Sequence, residues 1–319
     1  MNKASSKFVD KIAAEKLLSE KLTRVHHKPD ETWKTFDTQL TDVASVDGEL
    51  QNLQISENDN AQLINFDSAV QTGYHEDDRV ICLYFPAKKV KGEVIFVHGL
   101  YEDNRDIYSF MISQLNANGL NVYAMTLPFH YERQPENSRF SGEFFFSGDA
   151  YRNTVAFKQA VTDVTQFYHH LKKNSRYPVC LTGFSMGGGV CLTIAGLIPV
   201  DRVFVFNPVC NIADLIWTSM LFEPVKNDLT AAGFDQQDIA ELYGEFEPLG
   251  FDSPATSIDR VVLGWGLYDQ INDPKNYDLL KKTWRLEHAI AYKSGHLNIL
   301  RVPKLAQDIA RFIETGNLK

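Results

Sequence analysis

The chain has 319 residues, 44% of them hydrophobic, with a formal net charge of −9. That is enough to bury one large core, and the composition is that of an ordinary globular protein. The acidic balance, with no long run of either sign, argues against nucleic acid or an anionic membrane as partner. No apolar run approaches a membrane span, and Met1–Lys7 leads into a mixed-charge segment rather than the apolar core of a signal peptide.

Residues 5–24 read as a charged helix carrying Phe8, Ile12, Leu18 and Leu22, expected to dock on the main body or, less readily, to meet a second copy. His26 and His27 beside Pro29 read as solvent-exposed linker residues rather than metal ligands, and residues 35–62 carry too weak a pattern to place. Strands are expected at 65–70, 79–85, 93–97 and 121–127, the third a continuous apolar run suited to burial on both faces. A helix with Ile107, Met111, Ile112 and Leu115 on one face separates the last two and stops at Gly119. Residues 129–148 are irregular and rich in Phe, Arg and Gly, and a long helix follows over 149–173.

Further strands are expected at 179–182, 202–206, 260–266 and 287–292, with helices around 274–285 and 302–314. Residues 211–250 read as an amphipathic helical insertion that interrupts the strand–helix rhythm. The alternation predicts an α/β fold, a mostly parallel, doubly wound sheet with helices on both faces and a small helical cap. Residues 1–60 form an N-terminal helix and extension, and 61–319 a single domain with a cap insertion at 211–250. Cys82, Cys180, Cys191 and Cys210 are scattered in apolar surroundings without C-x-x-C spacing, so buried thiols of a cytoplasmic protein are expected rather than zinc or disulfides.

Chemistry concentrates where strands end, as ligands do in such sheets. Gly183-Phe184-Ser185-Met186-Gly187 stands between an apolar strand and a helix-compatible run, the context in which G-x-S-x-G becomes a nucleophile elbow. A serine on a strained turn needs neighbours without side chains, and the helix after it offers N–H groups to a developing oxyanion.

Ser185 then needs a base and an orienting acid. Of nine histidines, His296 fits best, in a glycine-containing loop after the last strand. His288 starts a strand and is at its wrong end, while His169 and His170 fall on the exposed part of a helix and His75 in a polar turn. His130 could line a pocket, and His98 beside Gly99 is better suited to shaping a loop. Asp269 follows the 260–266 strand directly. Asp273 is the runner-up, and Asp259 precedes the strand.

The order serine, acid, histidine is that of the α/β-hydrolases. On the elbow at Ser185, the Asp269 loop, Gly295-His296 and His98-Gly99, residues 65–315 resemble that superfamily. The resemblance implies an oxyanion hole from the Met186 and Leu100 backbone N–H groups, with Tyr101 and Glu102 near the pocket mouth. A weaker similarity, carried by Leu127-Pro128-Phe129-His130, Arg133-Gln134-Pro135 and Ser141-Gly142-Glu143, is to uncharacterised hydrolase-domain proteins near the dienelactone-hydrolase and prolyl-oligopeptidase branch. Dienelactone hydrolases use cysteine where this chain has Ser185, so their substrate does not transfer.

The expected activity is hydrolysis of a carboxylic ester on a small-molecule acyl substrate, without metal or organic cofactor. Gly264-x-Gly266 lies inside a strand and lacks a third glycine, and Gly187-Gly188-Gly189 lacks the Lys-Ser/Thr of a phosphate loop. An amidase, peptidase, thioesterase or acyltransferase on the same triad is the alternative. A binding module that has kept the fold is the alternative of another class, and a cofactor-free haloperoxidase-like activity lies further out. His98, Tyr101, His130, Phe144 and Trp217 are candidate pocket residues. The Phe140–Phe146 cluster and the apolar residues of the insertion either wall an acyl pocket or pack on the core.

Overall fold

The structure is a computed structural model that describes residues 2–22, 27–58 and 61–318. Its strands are β1 (Gln54–Asn58), β2 (Ala61–Asp67), β3 (Arg79–Phe85), β4 (Gly92–Val97), β5 (Leu120–Met125), β6 (Val179–Phe184), β7 (Arg202–Phe206), β8 (Val261–Gly266) and β9 (His288–Tyr292). They form one sheet in the order β1-β2-β3-β5-β4-β6-β7-β8-β9. β1, β2 and β3 pair antiparallel with their neighbours, and the six strands from β5 to β9 run parallel.

The central strands are mostly apolar because both of their faces are covered. Ile95 and Val97 of β4 join one core, Val94 and Phe96 the other. The first core is completed by α3 (Ala150–Asn174), α4 (Met186–Leu197) and α8 (Pro274–Trp284). The second is closed by α2 (Ser109–Ala117) and α9 (Pro303–Thr315), through Met111, Leu115, Ile309 and Phe312. Strand order reverses at β4, which has β5 on one side and β6 on the other. The crevice beyond the carboxyl ends of β4 and β6 is the usual ligand position in such sheets.

Three differences from the sequence expectations have local causes. The strand expected at 65–70 ends at Asp67, because Ser68 turns in to donate its hydroxyl to the Asp163 carboxylate at 2.6 Å. Of the segment 35–62, unplaced from sequence, residues 40–49 lie along α3. Leu40 and Val43 are buried on it, Lys158 reaches Asp42 at 3.0 Å, and Gln166 donates to the Glu49 carbonyl at 2.7 Å. This covering buries α3 on nearly every face and leaves His169 and His170 half-buried rather than exposed. His27 is likewise no free linker residue. It is half-buried, with Nε2 3.0 Å from Glu143 and Nδ1 3.2 Å from Arg152, while His26 lies outside the described residues.

α5 (Ile212–Thr218), α6 (Glu223–Ala231) and α7 (Gln236–Tyr243) follow β7. α1 (Lys3–Glu20), capped by the Asn2 side chain, lies across the carboxyl edge of the sheet against residues 220–222 and the loops after β4, β8 and β9. Among the described residues, no helix is long and apolar enough to cross a membrane, and no group of three or more His, Cys, Asp or Glu is placed to hold a metal. The four cysteines are buried and unpaired with one another.

Candidate active site

β6 ends and α4 begins at Ser185, whose backbone has φ 53° and ψ −118°. A non-glycine residue in that region is strained and persists only where its surroundings over-determine it. They do so here. Ser185 N–H donates to Phe206 O, and its carbonyl accepts from Gly189 and Val209. The glycines permit the close approach. A Cβ on Gly183 would run into the Gly187 carbonyl, and one on Gly187 into the Val97 carbonyl of β4.

The Ser185 hydroxyl is 3.0 Å from His296 Nε2, and His296 Nδ1 is 2.8 Å from Asp269 Oδ2. Both partners are nearly sealed from solvent. Asp269 has its other oxygen fixed by the backbone N–H groups of Ile271 at 2.8 Å and Asn272 at 3.1 Å, and Tyr277 donates to Oδ2 at 3.2 Å. Nδ1 therefore carries the ring proton toward the carboxylate, and Nε2 accepts from Ser185. Burial alone would push the His296 imidazolium down. The adjacent Asp269 charge and hydrogen bond, helped by Asp10 and Glu102, outweigh it and raise the pKa above the ordinary value. Asp273, the alternative acid, caps α8 by accepting from Lys275 N–H at 2.9 Å, and Asp259 is in the turn before β8.

Leu100 and Met186, the two expected oxyanion donors, both border the cavity that holds Ser185. Met186 opens α4, so its N–H has no acceptor within the helix. The loop carrying Leu100 is shaped by two buried neutral histidines. His98 donates from Nδ1 to Gly99 O at 2.6 Å and accepts Leu127 N–H on Nε2 at 3.0 Å. His130 donates from Nδ1 to Pro128 O at 2.7 Å and accepts Tyr101 N–H on Nε2 at 3.2 Å, where Tyr101 has φ 63°. Burial holds both imidazoles well below their usual range, His130 at about 3.

The cavity has a volume of about 320 Å³. Its walls include Leu215, Leu221 and Phe222 of the inserted helical segment, and Ala14 and Leu17 of α1. Of the five pocket residues expected from sequence, Tyr101 lines it. His98, His130 and Phe144 do not, because each is buried with partners of its own, and Trp217 packs half-buried against the core. Phe145 and Phe146 pack on Phe157 of α3, so this cluster belongs to the core and the apolar residues of the insertion supply the wall. Glu102 faces the cavity with its oxygens bound to the Tyr108 and Tyr131 hydroxyls, and burial raises its pKa to about 7.

Two residues at the site were missed in the sequence reading. Asn207 follows β7 with φ 46°, accepts Gly266 N–H at 2.7 Å and donates to the carbonyls of Gly295 and His296 at 3.2 and 2.9 Å, joining β8 to the His296 loop. Asp10 of α1, fully buried, accepts from His296 N–H at 2.7 Å. An Asn closing a strand is a weak hint of the first. Nothing in a charged helix distinguishes the second from its surface neighbours.

Residues 88–232 match the family described as serine aminopeptidase, S33. No curated protein matches the sequence. Among solved structures, acetyl xylan esterase 1 from Thermoanaerobacterium sp. JW/SL YS485 superposes with a TM-score of 0.60 at 16% identity, covering 90% of this chain and 98% of its own. S-formylglutathione hydrolase from Agrobacterium tumefaciens gives 0.53 at 12% identity, over 83% of this chain and 99% of its own. Pyrococcus horikoshii acylaminoacyl peptidase gives 0.52 at 14%, over 83% of this chain but 41% of its own. Sheet order, helical layers and these likenesses agree: the chain has the α/β-hydrolase fold.

Proposed function

We propose that the protein is a serine hydrolase cleaving a carboxylic ester through an acyl-enzyme. The observation that carries this is the continuous hydrogen-bonded line from Ser185 through His296 to Asp269, at 3.0 and 2.8 Å, opening on a largely apolar cavity. His296 takes the Ser185 proton as the oxygen attacks the ester carbonyl, and Asp269 stabilises the imidazolium. The Met186 and Leu100 N–H groups receive the oxyanion. His296 returns the proton to the leaving alkoxide, and a water it activates releases the acid.

Leu100, Leu215, Leu221 and Phe222 suit an apolar acyl group, with the segment 211–250 acting as a partial cap. The likeness to acetyl xylan esterase 1 supports ester chemistry at the level of fold. An aminopeptidase, as in the family description, needs a carboxylate for the substrate amine. Of the carboxyls at the cavity, Glu102 accepts from two tyrosine hydroxyls, Asp103 pairs with Lys21 at 2.7 Å and the exposed Glu20 pairs with Lys16 at 3.9 Å, which favours the ester. A panel of p-nitrophenyl esters, thioesters and anilides of matched acyl length tests the choice. Ester turnover is expected to dominate, and faster anilide turnover would contradict it.

A further inference from the structure

α1 and its capping residue place two buried charged side chains, Asp10 and Lys21, on the loops of the site. Asp10 accepts from His296 N–H at 2.7 Å, from Leu297 N–H at 3.1 Å and, more weakly, from Gln270 N–H at 3.3 Å. One carboxylate thus engages both the loop that carries the base and the loop that carries the acid. The approach is close enough that a Cβ on Gly295 would lie 2.5 Å from Asp10 Oδ2. At the other end of the helix, Lys21 donates to the Tyr101 carbonyl at 2.7 Å and pairs with Asp103 at the same distance, gripping the loop of Leu100.

A fully buried carboxylate is costly unless satisfied, and desolvation does push the Asp10 pKa up against those backbone hydrogen bonds. Its three N–H donors all belong to the catalytic loops. We propose that Asp10 is a positioning residue for His296, and that α1, through Asp10 and Lys21, is the clasp that holds the base, acid and oxyanion loops in register. This rests on the triad reading above. The carboxylate acts on the His296 backbone rather than its ring, so it sets where the imidazole stands. It also adds negative charge near an imidazolium already facing Asp269 and Glu102.

Asp10→Asn tests this. The amide keeps one acceptor oxygen and turns an N–H donor toward a backbone N–H. Two readouts on the full-length protein are needed. Hydrogen exchange over residues 293–298 should speed up while α9 keeps its protection. Fluorophosphonate labelling of Ser185 should slow about 100-fold, the scale of a displacement near 1 Å, and its acid limb should move to lower pH because an anion near the imidazolium is gone. Gly295→Ala disturbs the same contact from the other side. It should reproduce the exchange and the slowing without the displaced acid limb, since Asp10 keeps its charge. Unchanged exchange over 293–298 in both variants overturns the proposal, as does slowed labelling with the wild-type acid limb in Asp10→Asn. Absence of labelling in the wild type would instead fail the triad reading, and the exchange comparison would still decide the clasp.

Discussion

Asp269→Asn separates the chemistry of the acid from its packing. Oδ1 receives two backbone N–H groups, so the new carbonyl oxygen takes that place. The amide nitrogen then stands at the Oδ2 position, 2.8 Å from His296 Nδ1 and 3.2 Å from the Tyr277 oxygen. An NH₂ group only donates. Nδ1 must accept, the ring proton moves to Nε2, and that proton points at Ser185 across the 3.0 Å contact. Ser185 loses its proton acceptor while every heavy atom stays in place. In serine proteases this inversion costs about 10⁴ in kcat, or about 5.4 kcal/mol of transition-state stabilisation. The Tyr277 hydroxyl can turn to accept from the amide, so folding is spared. Melting should move by no more than about 4 °C, the scale of a 1 kcal/mol change. Turnover of a p-nitrophenyl ester beside thermal melting makes the measurement. A loss below about tenfold with unchanged melting would refute the assignment of Asp269 and the tautomer drawn from it.

Other outcomes are expected on the same footing. The reaction needs neutral His296 and its pKa is raised, so kcat/KM should fall with decreasing pH along a limb centred above the ordinary imidazole value of about 6.5. A limb below that value would mean that Asp269 and Asp10 do not act on the ring as drawn. Leu221→Trp adds bulk to the wall of the 320 Å³ cavity and should shift preference toward shorter acyl chains, read from kcat/KM across an acyl-length series. An unchanged profile would put the acyl group elsewhere. Gly187→Ala drives a methyl into the Val97 carbonyl and should cost about 1–3 kcal/mol in urea unfolding, with labelling lost; full stability would show that α4 can move off β4.

Most of the sheet could be read from the sequence because β4 to β8 are mostly apolar runs that alternate with helical segments. Ser185, His296 and Asp269 were legible for a related reason: each stands just past a strand, where parallel topology gathers residues distant in sequence. The half of the site made by packing was not legible. α1 has Phe8, Val9 and Ile12 exposed and Ser6 and Asp10 buried, an inversion that no hydrophobic period signals. Its reason is that Asp10 faces backbone N–H groups rather than an apolar surface. The wrap of residues 40–49 is held by single hydrogen bonds to α3 and a few buried apolar residues, too sparse for a periodic pattern. His98 and His130 follow strands and Phe144 belongs to a Phe cluster, which makes them pocket candidates in the sequence, yet their partners are backbone groups and other rings.

The most direct measurement is fluorophosphonate labelling of the purified full-length protein, with the adduct located by peptide mass, beside Ser185→Ala. A stoichiometric adduct on Ser185 that disappears in the variant is expected. An unlabelled wild type that melts cooperatively, or an adduct on another residue, would contradict an activated serine at the β6–α4 turn.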